Sequence, residues 1–396
     1  MTARPTSPLA EAINSGAIEL AMAQADPDSV AAATTLRKRF TPEVAAIALT
    51  QAGLRRRAAT KFGAAADAWL FTPDGLEQAT RPEVAAHRAA RLAASGVRRV
   101  IDLGCGIGAD AHAFAEAGLD VVAVERDSLT AEVARHNLTP LGVEVVQAEA
   151  EAVAGELVGR PGTAAFCDPA RRGARGRTWD VSQFTPPWKF VAGLLEGPAV
   201  LKLGPGVPSE FIAPEVEAVF VSHHGDLVEA AIWSSALTER PGRAAELLTR
   251  DGAVHRMDAR PAPVRVNPEV PEPGQVILEP DPAVLRAGAT DALAEDLGLQ
   301  RVADRVGYLI GDRSPATPFA RGFEVLEVLP YREKDLRARL RAGEVGVLEI
   351  KKRGLEVDPA RLRRELLGKK GYGKASATLL LTPTVAGARA LVVKIV

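Results

Sequence analysis

The segment Val100-Ile-Asp-Leu-Gly-Cys-Gly-Ile-Gly108 constrains this chain more than any other. An apolar run ends in three glycines spaced G-x-G-x-G, and a second apolar run, Val121-Val-Ala-Val-Glu125, follows after the length of one helix. That order predicts a strand, a tight loop, a helix over about Ala109 to Ala117 and a second strand. Gly104, Gly106 and Gly108 permit dihedrals and close ligand approaches that a Cβ would obstruct. Glu125 falls at the carboxyl end of the second strand, where an acid in a doubly wound sheet accepts hydrogen bonds from ribose hydroxyls. A turn that holds no ligand is the alternative, and the strand, turn, helix, strand and acid in register count against it.

The spacing separates two kinds of nucleotide-like ligand. Dinucleotide folds use G-x-G-x-x-G, in which backbone amides and a helix N-terminus meet a pyrophosphate. Here the third glycine comes one residue early and the turn opens with Asp102. An acid suits a cation. S-adenosylmethionine carries a sulfonium and an ammonium group and no phosphate, so Asp102 and Glu125 fit it better than they fit NAD.

Asp102 to Gly108, Glu125, Glu149 and Asp168-Pro-Ala-Arg-Arg172 resemble, in order, the successive motifs of class I S-adenosylmethionine-dependent methyltransferases. The resemblance implies a cofactor set of Asp102, Gly104, Cys105, Gly106, Gly108, Glu125, Arg126 and Glu149, with Asp168 and Arg171 at the chemistry. Glu149 follows the strand-like Val143 to Gln147 and resembles the acid that contacts the adenine amino group; a solvated acid in the run Glu149 to Glu151 is the other reading. Exocyclic-amine methyltransferases place Asp, Asn or Ser before Pro-Pro and an aromatic that stacks on the base. This chain keeps Asp168 and Pro169 but has Ala170 and Arg171 next. A stacking partner must then come from elsewhere, with Trp179, Phe184 and Trp188 nearest in sequence, each more often core than platform. Carbon-5 pyrimidine methylation needs a poised thiolate. Cys105 lies within the loop, and Cys167 should point away from Asp168 on the strand, so that chemistry is disfavoured.

Composition narrows the setting. The 49 Lys plus Arg against 50 Asp plus Glu give the 396 residues a net charge of -1, so any nucleic-acid contact must rest on local patches. Two cysteines, no secretory leader pattern and no apolar run of the roughly 18 residues a membrane span needs predict a soluble cytoplasmic enzyme with no membrane partner. Six histidines form no metal pattern, and His223 and His224, adjacent on an extended segment, should face opposite ways. No oligomeric state is readable.

Four regions are expected. Residues 1–75 form a helical domain in which Thr41 caps a helix with Pro42 in its first turn. Residues 76–258 form the methyltransferase domain, with strands near 100, 121, 143, 164, 199 and 217, and Glu229–Trp233 with Gly252–Arg256 as a closing antiparallel ribbon. Residues 259–274 carry five prolines and read as a semi-rigid linker. Residues 275–396 form an α+β unit, including one helix from Ala283 to Leu297. The fold class is therefore α/β, a doubly wound, Rossmann-like class I sheet with an N-terminal helical region and a C-terminal α+β domain.

Within the last region, Glu279-Pro-Asp-Pro-Ala-Val-Leu-Arg-Ala-Gly288 and Leu348-Glu-Ile-Lys-Lys-Arg-Gly354 resemble the THUMP-like domain behind certain bacterial methyltransferases. Leu76-Glu-Gln-Ala-Thr80 and Val200-Leu-Lys-Leu-Gly-Pro205 resemble segments of the same proteins. THUMP domains bind RNA, so the resemblance implies an RNA partner, a tRNA or rRNA base as methyl acceptor and this domain as platform. Arg321 to Lys374 holds 15 Lys plus Arg against 9 Asp plus Glu, a net of +6. Lys351, Lys352 and Arg353 are the expected phosphate contacts there, and Arg172 and Arg175, with Arg177, are expected to steer a phosphate beside Asp168. Ordinary solvated faces are the alternative for both clusters. Two other functions stay open: a methyltransferase for a small molecule or protein, and an idle RNA-binding protein on a methyltransferase scaffold.

Overall fold

The structure, a computed structural model, describes residues 7–171, 179–368 and 371–396. The chain divides into two compact units, Met1–Leu203 with Trp233–Glu239, and Gly204–Ile232 with Arg240–Val396.

The first unit opens with α1 (Pro8–Asn14), α2 (Ala17–Met22), α3 (Val30–Arg37), α4 (Pro42–Phe62), α5 (Pro73–Gln78) and α6 (Pro82–Ala94). Their starts follow hydroxyl chemistry: Ser7, Ser29, Thr41 and Thr72 each accept the N–H three residues on, and proline occupies the first turn of α1, α4 and α5. Alanines at 45, 48, 52 and 58 give α4 a narrow buried face, and its core extends to Ile107 and Val133. Two buried carboxamides complete the packing. Gln51 donates to the Phe71 carbonyl at 2.7 Å and accepts its N–H at 3.0 Å. Asn137 does the same for Leu70 and also donates to the Ile107 carbonyl at 2.9 Å, which ties the glycine loop to the helices.

The sheet of this unit contains β1 (Arg99–Leu103), β2 (Asp120–Glu125), β3 (Glu144–Gln147), β4 (Thr163–Cys167) and, after the short pair β5 (Ala170–Arg171) and β6 (Phe184–Thr185), β7 (Ala199–Leu203). Their order is β7-β4-β1-β2-β3, all parallel. Helices α7 (Ala109–Glu116), α8 (Ser128–Leu138), α9 (Ala150–Val158) and α10 (Trp188–Gly193) fill the crossovers. All of β4 and nearly all of β1 is buried, as expected of central strands covered on both faces. The order reverses between β1 and β4, and a crevice opens there at the carboxyl ends of the strands.

The second unit carries β8 (Glu217–His223), β9 (Asp226–Trp233), β10 (Gly242–Leu248) and β11 (Val254–Asp258) in the order β11-β10-β8-β9. The expected ribbon is thereby corrected. β11 pairs antiparallel with β10, whose register on β8 is parallel, so β9 and β11 are not neighbours. His224 has φ 56°, which breaks strand alternation and stacks its ring on His223 with centroids 3.7 Å apart.

A seven-stranded sheet follows: β12 (Val276–Pro280), β13 (Gln300–Arg301), β14 (Leu309–Gly311), β15 (Ala320–Pro330), β16 (Val345–Lys352), β17 (Ala375–Thr384) and β18 (Gly387–Ile395), in the order β13-β14-β12-β15-β18-β17-β16. Its helices are α11 (Pro282–Ala287), α12 (Thr290–Leu297), α13 (Glu333–Ala342) and α14 (Pro359–Leu367). The single helix expected over 283–297 is two, because Gly288 adopts φ 78° and ends α11. Asp281 caps α11 and accepts the Ser222 hydroxyl at 2.9 Å, while Arg286 donates to the Pro205 and Val207 carbonyls. The proline-rich connector runs beside β13: Arg301 donates its N–H to the Arg265 carbonyl at 2.7 Å, and Asn267 donates to the Arg301 carbonyl at 2.8 Å. Among the described residues no helix is long and apolar enough to cross a membrane.

Candidate active site

A cavity of about 340 Å³ occupies the crevice in the first unit, lined by the glycine loop, Glu125, Arg126, Glu149 and Asp168. Gly104 and Gly106 have φ 96° and 56°, and a Cβ on either would stand in open space at the cavity wall. A side chain there would fill the cradle. Gly108 serves packing instead, since a Cβ would come within 2.9 Å of Leu138 Cδ1.

The acids around the cavity are held differently. Asp102, at the end of β1, is 1% exposed, and neither carboxylate oxygen has a hydrogen-bond partner among the described residues. Burial pushes its carboxyl well above the usual range, and the charges of Asp110 and Asp168 add to the rise. Glu125 is half-buried; its oxygens accept the N–H groups of Gly106 at 3.1 Å and Asp127 at 2.9 Å. Burial raises its carboxyl against those bonds. A carboxylate has about four acceptor positions, so two remain for a ligand's hydroxyls. On the rim, Arg126 Nη1 lies 3.9 Å from Glu149 Oε1.

Asp168 follows β4 and is paired with Lys202 from β7, whose side chain is 12% exposed. The ammonium engages Oδ2 and leaves Oδ1 without a partner among the described residues. Beneath the loop, Asp110 at the start of α7 is clasped by Arg88 and by the Thr80 hydroxyl at 2.6 Å. Burial works to raise its carboxyl, but Arg88, Lys202 and Thr80 together hold it below the usual range. Lys61 donates to the Leu76 and Glu77 carbonyls; burial, with Lys202 and Arg81 nearby, brings its ammonium down to about 8.

Two Mycobacterium tuberculosis proteins, from different strains and each described as an uncharacterised S-adenosylmethionine-dependent methyltransferase, are 36% identical to this chain over 323 residues, 79% of this chain and 86% of theirs. The chain belongs to that methyltransferase family. Residues 320–394 match a family described as THUMP domain-like, and residues 17–58 match a domain of unknown function. A crystal structure from Porphyromonas gingivalis, provisionally assigned as a methyltransferase, shares the fold with a TM-score of 0.73 at 20% identity, covering 99% of each chain.

The residues of this methyltransferase fit its cofactor. Two unpartnered carboxylate oxygens on Asp102 suit a cationic ligand and would repel a pyrophosphate, the glycine cradle is open, and Glu125 keeps acceptor capacity. Of the sequence-derived set, Asp102, Gly104, Cys105, Gly106, Glu125, Arg126, Glu149 and Asp168 all line one cavity. Arg172, Arg175 and Arg177 lie outside the described residues, as does the side chain of Arg171. Phe184 is buried against Trp179 and Trp188, at centroid distances of 5.3 and 5.6 Å, while Thr185 and Pro186 line the cavity in its stead. Both cysteines are buried with their thiols pushed up, unsuited to a nucleophile.

Sequence reasoning assigned no role to Lys202, Asn137, Arg88 or Asp110. A lone lysine inside Val200-Leu-Lys-Leu203 was the available signal for Lys202, because a charge in a buried strand needs a partner. In the second unit, Lys351 pairs with Glu279 at 2.7 Å and Arg353 with the same acid at 3.7 Å, while Lys352 donates to the Leu355 carbonyl. The three basic residues are together in sequence, but two of them share an ion pair with one acid.

Proposed function

We propose that the methyltransferase acts on RNA, with Asp168 receiving the acceptor group and the region 275–396 gripping the nucleic acid. The observation that carries the substrate half is the THUMP domain-like match over 320–394 on a methyltransferase chain. Bound S-adenosylmethionine supplies an electrophilic methyl group. What the protein must add is alignment and the management of one proton. Asp168 has the arrangement for this: Lys202 anchors Oδ2, and Oδ1 is left to accept an N–H or O–H from the acceptor. Glu125 would hold the ribose through its spare lone pairs, and the buried Asp102 would meet the cationic part of the ligand.

A nucleophilic cysteine has no part in this reading, since both thiols are buried. The test is transfer of tritiated methyl groups from labelled cofactor into fractionated cellular RNA, followed by nucleoside analysis. Incorporation into one RNA fraction, lost on nuclease treatment, is expected. Transfer that proceeds without RNA would favour a small-molecule or protein acceptor, and RNA retention without transfer would favour the idle scaffold.

A further inference from the structure

The second unit contains a cleft of about 620 Å³ between the connector and the β13–β14 edge of its sheet. Leu299 and Ile310, 7% and 3% exposed, form its floor. The floor closes tightly on Gly311, where a Cβ would fall 2.3 Å from Leu299 Cδ2. Asn267 and Gln300 flank it, and Arg265 and Arg313 stand exposed at its rim. Neither arginine makes an ion pair or side-chain hydrogen bond among the described residues. Their neighbours do: Arg260 is held by Glu295 and Asp296, and Arg301 by Asp291. The one acid in the lining, Asp312, accepts the Gln275 amide at 3.2 Å, so the cleft is left with a surplus positive charge.

We propose that this cleft is an RNA phosphate subsite, with Arg265 and Arg313 gripping the backbone of an unpaired strand. The inference rests on the RNA reading above and names where the contact is made. Guanidinium forks match phosphate oxygens in a bidentate way, the Gln300 carboxamide offers a donor and an acceptor to a base edge, and the apolar floor suits a base or ribose face. The volume falls in the roughly 300–1,000 Å³ range of small-ligand sites, which fits a nucleotide of a single strand or loop and not a duplex. Arg265 is also well placed mechanically, because its backbone is fixed to β13 through the 2.7 Å bond from Arg301.

The experiment measures binding of the full chain to a labelled mixed-sequence RNA oligonucleotide and to bulk tRNA across a salt series. Replacing both residues, Arg265→Ala with Arg313→Ala, is expected to weaken binding on the order of tenfold or more. It should also flatten the slope of log affinity against log salt by about 1.4, since a phosphate contact on a single strand contributes about 0.7. S-adenosylmethionine affinity and thermal melting should match the parent, which certifies folding. Arg265→Lys with Arg313→Lys, keeping charge but not the fork, should restore the slope and only part of the affinity. If the parent binds RNA and the alanine pair binds it equally, with the same slope, the cleft is overturned and the RNA reading stands. If the parent chain binds neither probe, the RNA reading itself falls and the cleft with it.

Discussion

Asp102 and Glu279 are both acids near the ends of strands in well-packed sheets, and their surroundings are opposite. Among the described residues Asp102 has two oxygens without a partner; Glu279 is engaged by Lys351 and Arg353. Leaving a buried acid unpaired costs stability and raises its carboxyl, so Asp102 is an acid whose charged form a cationic ligand would stabilise. Glu279 illustrates the reverse. Its carboxylate is engaged in ion pairs that reach from β12 to Lys351 and Arg353 at the end of β16, two of the cations expected from the sequence to meet RNA. A charged residue near a site is therefore informative only once its partner is known.

The sharpest test of that contrast is Asp168→Ala, which should cut methyl transfer by about 10²–10⁴, the usual worth of a positioned proton acceptor, and leave cofactor affinity near the parent value. Turnover at saturating cofactor, compared with the calorimetric affinity of the same preparation, separates the two. Comparable turnover would reduce Asp168 to a partner that merely neutralises Lys202.

Arg88→Met probes an acid that is already paired, by Arg88 and the Thr80 hydroxyl. It would strand Asp110 in the core without its cation, at a cost of about 3–5 kcal/mol. Urea denaturation should show a lower midpoint at unchanged slope, and Arg88→Met combined with Asp110→Leu should recover much of the loss. A stable single variant would mean that the Arg88 and Asp110 pair contributes little to holding α6 against α7.

Asp102→Asn is the intermediate case, and its sign follows from the raised carboxyl. The folded chain keeps the proton of Asp102 to higher pH than the unfolded chain. Its contribution is thus fully present below the unfolded value of about 3.9 and is lost as pH rises through the folded value. The variant should remove this loss and be the more stable protein on the alkaline side, while S-adenosylmethionine affinity falls roughly tenfold, about 1.4 kcal/mol. A cationic ligand should draw the raised carboxyl back down, so binding to the parent should release protons across the pH range in which Asp102 titrates, detectable as a dependence of calorimetric heat on buffer ionisation enthalpy. Unchanged affinity in the variant and no proton release in the parent would remove Asp102 from the cofactor site.

The geometry of the glycine loop was legible because its requirements are local. Positive φ at Gly104 and Gly106, an acid at the turn and an acid one strand later are spaced by the βαβ unit itself, so reading the spacing amounts to reading the geometry. Lys202 lies 34 residues from Asp168 and meets it only because β4 and β7 are neighbours in the sheet. Glu279 lies 72 residues from Lys351, and no local pattern announces that pairing. The split of the 283–297 helix was legible in principle, through Gly288, whereas the insertion of β10 between β8 and β11 depends on a parallel register that alternation alone does not encode. The stacked His223 and His224 likewise turn on left-handed backbone at His224 and Gly225, the two residues between β8 and β9.

The smallest expected effect completes the contrast between committed and available charge. Lys351→Ala with Arg353→Ala removes two cations that are paired with Glu279, with Glu349 also 3.9 Å from Lys351, and the Lys351 and Arg353 side chains pack toward the Phe323 and Tyr308 rings. If these residues serve structure, the pair should lower stability modestly, on the order of 1–3 kcal/mol, because Glu279 at 18% side-chain exposure is left without its partners. The salt slope of RNA binding should change by less than about 0.7, one single-strand phosphate contact. Adding Glu279→Gln should then restore stability in the double variant, since the stranded charge is gone. A loss of about two phosphate contacts from the slope, with stability intact, would instead return Lys351 and Arg353 to the RNA surface and make Glu279 a bystander that yields them when RNA arrives.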